Sequence, residues 1–376
     1  MLVATVPYPF NTQLRELILF LQEKGWDVHV LCSNRPDIEG ISFHRVTIKR
    51  SIAPFYDLVS LWKLFWLLRK ERFPIVHSFN PKSGLLCAIA AKISNTPVRL
   101  HTFTGQVWVT LKGTRRFVSR FGDIVIGKLN THCYCDSDSQ KSFLIQDGVI
   151  SSAKISVLGG GSLSGVNTKK FDRALFSKND YTALRKKMGF SKDDFVLLFV
   201  GRLTKDKGIR ELLKAYSLLR YKHQEIKLLL VGPEEKDFQE TLKFVNLSDM
   251  EGVVFTGYAR DPEKYMFISD LFVLPSYREG FGSVIIEAGA MGLPSVGSSI
   301  YGIKDAIDNG NTGILTPVKD VRRLVQAIEM LIVNITLRKN LGNNALKRAV
   351  NFSSDKMNKC FKKEYDFFLV EKNYKT

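Results

Sequence analysis

Apolar runs of strand length recur along this chain, each followed by a turn and then by a longer stretch of helical period. In the first half the runs fall at residues 3–6, 28–32, 75–78, 98–102 and 131–135, and helical patterns at 14–24, 85–93 and 139–146 lie between most of them. The second half repeats the scheme, with runs at 195–200, 227–231, 253–256, 271–274, 295–296 and 312–315 and helices between. Strands that alternate with helices predict parallel sheets covered on both faces, an α/β architecture. The two blocks are separated by Gly159-Gly160-Gly161-Ser162-Leu163-Ser164-Gly165, the stretch richest in glycine and serine, which reads as a linker. The chain therefore divides into residues 1–165, residues 166–352 and a closing segment 353–376, within which residues 355–368 have helical spacing. Two doubly wound domains are expected to face each other across a cleft that takes ligand outside the carboxyl ends of their strands.

Composition changes this picture in two respects. At 376 residues the chain has room for two domains, and 45% hydrophobic with 24% charged residues is an ordinary globular balance. A net charge of +18 is not ordinary, and it calls for an anionic partner: ligand phosphates, an anionic membrane surface or nucleic acid. The five cysteines are few, odd in number and set mostly in apolar runs, which fits buried thiols in a reducing compartment better than a disulfide framework. The first ten residues carry no basic cluster and meet Pro7 and Pro9 at once, so they do not read as a secretory signal. The longest apolar stretch, residues 58–68, contains Lys63 and falls short of the ~20 residues a spanning helix needs. The expectation is a protein that stays on the side of the membrane where it is made.

Candidate chemistry concentrates in two places. In Pro275-Ser276-Tyr277-Arg278-Glu279-Gly280-Phe281-Gly282-Ser283-Val284-Ile285-Ile286-Glu287-Ala288 a strand ends, a turn follows, and a helix is expected from near Phe281. A glycine-flanked helix N-terminus offers free backbone N–H groups to a diphosphate. Glu279 and Glu287 are eight residues apart, so a helical path separates them by roughly 12 Å of rise, about the span from ribose to sugar in a nucleotide sugar. In Phe199-Val200-Gly201-Arg202-Leu203-Thr204-Lys205-Asp206-Lys207-Gly208 a buried strand runs into a loop with two cations that can neutralise a leaving diphosphate. The glycine spacing and Lys-Ser/Thr pair of a P-loop are absent.

In order, Gly201-Arg202, Lys207-Gly208, Val231-Gly232, Phe255-Thr256-Gly257-Tyr258, Pro275-Ser276, Glu279 and Glu287-Ala288, Gly292-Leu293-Pro294 and Asn309-Gly310-Asn311-Thr312-Gly313-Ile314-Leu315 resemble the donor half of the family 4 retaining glycosyltransferases. The match spans most of residues 195–320. It implies two Rossmann-like domains in the glycosyltransferase B fold, with the last helix crossing back to the first domain. It implies that Arg202 and Lys207 bind the donor diphosphate, that Glu279 and the backbone of Gly280, Phe281, Gly282 and Ser283 hold the donor sugar, and that Glu287 binds ribose. The loop Gly257, Tyr258, Ala259 and Arg260 falls where the family grips the nucleobase, and the implied base is uracil before guanine or adenine. His101, in Leu100-His101-Thr102-Phe103-Thr104-Gly105, is placed by the resemblance beside the donor sugar as a catalytic residue.

Two departures from the family pattern stand out. Its glycine-rich first loop is here Val6-Pro7-Tyr8-Pro9-Phe10-Asn11-Thr12-Gln13, without glycine, and the linker reads Gly165-Val166-Asn167 where Gly-Val-Asp is common. Asn11 and Thr12 are expected to cap the following helix, and Asn11 also to reach substrate. His29, His44 and His132 sit in strand alternation, and His77 ends a strand at the expected cleft. Cys133-x-Cys135 has no partner pair at metal spacing, and Asp136-Ser137-Asp138 reads as a helix N-cap, so no metal is implied and the nucleotide sugar is the only small molecule expected.

Two glutamates placed to bind hydroxyls do not make the paired-carboxylate scheme of a retaining hydrolase. The expected course is front-face displacement, with the leaving diphosphate as base. Residues 51–72 combine Phe55, Tyr56, Leu58, Trp62, Phe65 and Trp66 with Arg69-Lys70-Glu71-Arg72, and Lys112, Arg115, Arg116, Arg120 and Lys128 interleave with Phe117, Val118, Phe121, Ile124 and Ile126. Such stretches suit a peripheral, anionic membrane interface and hence a lipid-linked, polyprenyl-diphosphate saccharide acceptor for a bacterial surface polysaccharide, a capsule, O-antigen or glycoprotein glycan. A nonhydrolysing UDP-sugar epimerase is the alternative enzyme, and a basic nucleic-acid-binding protein the alternative of another class. The latter lacks stacking platforms or a recognition motif, so no nucleic acid is expected. Donor sugar, linkage and oligomeric state are written in no single motif.

Overall fold

The strands pair in two separate parallel sheets, one in each of two units. The computed structural model describes residues 1–49, 51, 53–243 and 250–371. Ile52 of the aromatic stretch and residues 372–376 of the closing segment lie outside the described residues. The first unit comprises residues 1–165 and the last helix, Ser354–Glu371, and the second is Val166–Ser353.

In the first unit the strands are β1 (Leu2–Val3), β2 (His29–Cys32), β3 (Ser42–Arg45), β4 (Ile75–Ser78), β5 (Val98–Phe103), β6 (His132–Cys135) and β7 (Ile155–Val157). They lie in the order β3-β2-β1-β4-β5-β6-β7, with Leu2 opposite both Val30 and His77. The two edge strands are absent from the hydrophobic pattern for a physical reason. Ser-Phe-His-Arg of β3 is partly exposed along its length, and β7 has three residues, too few for a periodicity. Alternation across each central strand feeds two cores. Val30 and Tyr134 pack with the helices Arg15–Glu23 and Ser354–Glu371, whereas Leu31 joins the core under the helices Pro54–Glu71 and Pro81–Ile93, and Cys133 and Cys135 the core beside the helix Gly113–Leu129. The two cysteines are thus free thiols buried on one face, and burial pushes Cys133 up to about 12.

His77 is not a strand-end group open to ligand. It is fully buried, with Nδ1 2.8 Å from the Tyr365 hydroxyl and Nε2 2.8 Å from Thr102 Oγ1, and burial holds its pKa well below the ordinary value. A neutral imidazole carries one donor and one acceptor, and two hydroxyls satisfy either tautomer. This bond, with Tyr134 donating to Glu364 at 2.9 Å, fastens the last helix to the first sheet.

In the second unit the strands are β8 (Phe195–Val200), β9 (Ile226–Val231), β10 (Val253–Gly257), β11 (Leu271–Leu274), β12 (Ser295–Ser298) and β13 (Gly313–Thr316), in the order β10-β9-β8-β11-β12-β13. The near-continuous apolar sequences of β8 and β11 are buried on both faces, as parallel strands under helices on both sides must be. The chain runs outward from β8 through β9 and β10, then returns to the other side of β8 as β11. The connections leaving β8 and β11 therefore diverge, which opens a crevice at their carboxyl ends.

Tyr365→Phe leaves one buried His77 nitrogen without a partner and is expected to destabilise the first unit by about 1–3 kcal/mol. A thermal midpoint equal to that of the parent chain would show that the bond contributes nothing.

Candidate active site

Two loops meet at the crevice between β8 and β11. The first leaves β8 through Gly201 and turns through Lys205–Lys207 into the helix Ile209–Lys222, and the second carries Pro275 to Gly282 from β11 to the helix Ser283–Ala290. Their adjacent charges are mirrored. Asp206 pairs with Arg278 at 2.7 Å, and next to it Lys207 Nζ pairs with Glu279 Oε1. Ser276 Oγ donates to the same Glu279 oxygen at 2.8 Å, the Tyr277 N–H donates to the Asp206 carbonyl at 2.8 Å, and the Tyr277 hydroxyl donates to Glu211 at 2.5 Å. Burial works to raise the Asp206 carboxyl, but Arg278 and the Thr204 hydroxyl outweigh it and hold the group below its ordinary value. The loops approach so closely that a Cβ at Gly208, where φ is +73°, would stand 2.0 Å from the Pro275 carbonyl oxygen. Only glycine fits both that conformation and that space.

The expected cations separate in the structure. Lys207 is held against Glu279, while Arg202 turns to Glu235 at 3.3 Å, both about half exposed (48% and 42%). Helical structure begins at Ser283, later than near Phe281, so helical rise does not set the separation of Glu279 and Glu287. Gly282 is the N-cap and Phe281 is buried against the ring of Phe352 at 5.2 Å, so Phe281 can offer a ligand only its main chain.

Glu287 stands within the helix, where burial pushes its carboxyl up to about 7, opposed by Lys170 and reinforced by Glu263. The loop Gly257–Arg260 follows β10: the Gly257 carbonyl accepts from the Gly232 N–H at 2.9 Å, Tyr258 is exposed, and the Arg260 carbonyl accepts from Lys170 Nζ at 2.9 Å.

The remaining expected residues lie in the first unit. His101 on β5 is 1% exposed, its Nδ1 is 2.9 Å from Ser78 Oγ, and burial lowers it to about 3. A Cβ at Gly84 would stand 2.4 Å from His101 Cε1, so this glycine of the helix Pro81–Ile93 makes the room for the ring. The imidazole is therefore neutral at physiological pH and is no proton donor of the imidazolium kind. Asn11 and Thr12 do not cap the helix Arg15–Glu23. Proline at the start of Tyr8–Asn11 already makes this segment helical, the N-cap of the next helix is Leu14 without a side-chain bond, Asn11 Oδ1 accepts from the Asp37 N–H at 2.8 Å, and the Thr12 hydroxyl donates to the Tyr8 carbonyl at 2.8 Å.

Ser137 is the N-cap of the helix Asp138–Gln146, accepting from the Gln140 N–H at 3.2 Å. Asp136 beside it is buried, raised by burial to about 8, with Oδ1 lacking a hydrogen bond among the described residues. Sequence reasoning missed Asp206, Ser276, Tyr277 and Arg278. The mirrored dipeptides Asp206-Lys207 and Arg278-Glu279 were the available signal.

Residues 180–348 match the family model described as glycosyl transferases group 1, and residues 2–121 that of glycosyl transferase 4-like. Over 95% of its length the chain is 34% identical to the capsular polysaccharide biosynthesis glycosyltransferase CapM of Staphylococcus aureus, of which it covers 94%. The chain belongs to the glycosyl transferases group 1 family. Among its relatives is the UDP-Gal:alpha-D-GlcNAc-diphosphoundecaprenol alpha-1,3-galactosyltransferase of Escherichia coli, 28% identical over 85% of this chain and 83% of that one. In fold, this glycosyltransferase resembles the sucrose-phosphate synthase of Thermosynechococcus elongatus, with a TM-score of 0.83, 22% identity and 98% of each chain covered. The architecture is the glycosyltransferase B fold, and the crossed pairs lie in the unit that the group 1 model matches.

For this glycosyltransferase, Lys207→Ala and Glu279→Ala are each expected to lower transfer at least about a hundredfold, the scale of a lost transition-state contact, while thermal unfolding still reports a folded chain. Ordinary turnover in either variant removes that residue from the site.

Proposed function

We propose that the chain moves a sugar, with retention of anomeric configuration, from a UDP-sugar onto a saccharide carried by a polyprenyl diphosphate, in the assembly of a bacterial surface polysaccharide. The observation that carries this reading is the pinned Lys207–Glu279 pair beside the amino end of Ser283–Ala290, at the crevice of the second sheet. The E. coli relative, whose name specifies UDP-Gal and a diphosphoundecaprenol-linked GlcNAc, supports the donor and acceptor classes.

In this reading Lys207 and Arg202 face the growing charge of the leaving diphosphate, as electrostatic stabilisation requires. Glu279, one oxygen of which is engaged by Lys207 and Ser276, accepts donor-sugar hydroxyls and is not the nucleophile. The bond from the anomeric carbon to the phosphate oxygen breaks, the acceptor oxygen bonds to the same face of that carbon, and the acceptor proton passes to the diphosphate. The main-chain groups of Gly280–Ser283 hold the sugar, Glu287 the ribose and Gly257–Arg260 the base, while His101 acts as a neutral group on the other unit. Lys207 and Arg202 supply the positive charge, and the proposed transfer needs no metal ion.

Among the described residues no helix is long and apolar enough to cross a membrane. The helix Pro54–Glu71 turns Leu64 and Leu68 inward and exposes Phe55, Leu58, Trp62 and Trp66, while Gly113–Leu129 exposes Phe117, Val118 and Phe121. The two helices pack on either side of Pro81–Ile93. Exposed aromatics among Lys63, Arg69, Lys70, Lys112, Arg115 and Arg116 support docking on the inner face of an anionic membrane. Arg120 does not join them, since it pairs with Asp147 at 2.5 Å.

Added UDP-sugar at a hundred times its dissociation constant is expected to stabilise the chain by about 2.7 kcal/mol, with GDP- and ADP-sugars weaker and EDTA without effect. A response that EDTA abolishes contradicts the metal-free reading. In vesicle sedimentation, Trp62→Ala with Trp66→Ala should lower binding to phosphatidylglycerol vesicles several-fold, and undiminished binding removes these residues from the interface.

A further inference from the structure

The first sheet has a crevice of its own. The chain runs outward from β1 through β2 and β3 and returns to the other side of β1 as β4, so the connections leaving β1 and β4 diverge at their carboxyl ends. One bond ties the two loops there: the Thr5 N–H, just after β1, donates to Asn80 Oδ1, just after β4, at 3.1 Å. Asn80 stands at the N-cap of Pro81–Ile93 and makes no side-chain cap bond, its oxygen being spent across the crevice. Helices that join parallel strands run back along the sheet, so the amino ends of Pro54–Glu71 and Pro81–Ile93 both lie at this carboxyl edge.

Lys82, two residues beyond Asn80, joins those two amino ends. Its Nζ pairs with Asp57 Oδ1 at 2.7 Å and donates to the Ser51 carbonyl. Asp57 is itself set by the Ala53 N–H, which donates to Oδ2 at 3.2 Å, and the ammonium is the one partner of its buried Oδ1 among the described residues. An ammonium carries three donors. Asp57 and Ser51 engage two of them among the described residues, and the Lys82 side chain keeps 18% of its surface. Next to Asp57 on its helix, Phe55, Tyr56 and Leu58 are exposed. Of the other cations of this stretch, Lys49 lies over the Tyr56 ring, 3.2 Å from its centre, and Lys63, Arg69 and Lys70 follow Asp57 by more than a turn of helix.

Three surfaces therefore follow one another at this edge: exposed aromatics, a held lysine and the crevice. A polyprenyl-diphosphate saccharide has three parts in the same order, an apolar chain, a diphosphate and a sugar. We infer that Lys82 binds the diphosphate of the lipid-linked acceptor, that Asp57 positions it, and that the acceptor sugar enters the crevice between β1 and β4. The inference rests on the reading of the acceptor as a polyprenyl-diphosphate saccharide. A lysine already ordered by two partners loses little side-chain freedom when a phosphate oxygen takes its third donor.

Sedimentation of the full chain with phosphatidylcholine vesicles tests this. One set of vesicles carries undecaprenyl diphosphate, a second undecaprenol, and a third phosphatidylglycerol at the surface charge of the first. The parent should bind the diphosphate vesicles about tenfold more tightly than the phosphatidylglycerol ones, the low end for a hydrogen bond between charged groups. Lys82→Met should erase that preference and Lys82→Arg should keep it. Asp57→Asn, close in shape to the parent, frees the ammonium, so binding to phosphatidylglycerol should rise while the preference shrinks several-fold. A lysine that serves only the fold, or only the general attraction of the surface for anions, would lower binding to both charged vesicles alike. An undiminished preference in Lys82→Met overturns the inference while leaving the acceptor reading in place, and one in Asp57→Asn removes Asp57 from it. A parent chain that binds diphosphate vesicles no better than the other two overturns the acceptor reading as well.

Discussion

The second unit depends on two antiparallel charge pairs at one crevice. Asp206-Lys207 leaves β8 and Arg278-Glu279 leaves β11, and each dipeptide neutralises the other. The strand order makes this pairing necessary. Loops that diverge from neighbouring strands would otherwise leave four partly buried charges with no compensation, and an uncompensated buried charge is among the costlier defects a fold can carry. Because the four charges cancel, the loops can sit as close as Gly208 and Pro275 do, and the helix Ser283–Ala290 begins at a fixed point. In the proposed transfer a diphosphate arriving there would meet a lysine that is already oriented, which is the condition for electrostatic catalysis without reorganisation.

Burial then divides the acidic and basic groups by role. Lys207 and Glu279 retain side-chain exposures of 20% and 14%, close to water yet paired. Glu287 has its carboxyl raised to about 7 by burial, which places its proton equilibrium in the physiological range. His101 goes the other way and stays neutral. Asp136, raised to about 8, is protonated at neutral pH. The first unit thus holds buried neutral polar groups near the carboxyl ends of β5 and β6, and the crossed charge pairs lie in the second.

Much of this was legible in the sequence because parallel sheets write themselves as apolar runs. The runs at 75–78, 195–200 and 271–274 coincide with β4, β8 and β11. The edges of the second sheet, β10 and β13, still show as apolar runs, whereas in the first sheet the partly exposed β3 and the three-residue β7 carry no such mark. Site residues were legible as types at loop positions, but not as partners. Arg202 and Lys207 look equivalent in sequence, yet one faces Glu235 and the other Glu279, a choice made by backbone direction after β8. His77 and His101 stand near the ends of neighbouring strands, and only the packing of the last helix and of Gly84 assigns one to the core hydrogen bonds and the other to a glycine-made niche. Asn11 and Thr12 look like caps because their side chains suit that task, but the preceding prolines start the helix before them.

The central claim is that Lys207 and Glu279 act on the donor as one preformed unit. A double-mutant cycle on donor affinity tests it most directly, with UDP-sugar titrated into the parent, Lys207→Ala, Glu279→Ala and the double variant. Coupled residues give a double variant little worse than the weaker single one, a coupling of about 1 kcal/mol or more. Losses that simply add would mean that the two side chains meet the donor independently and that their pairing plays no part in the site.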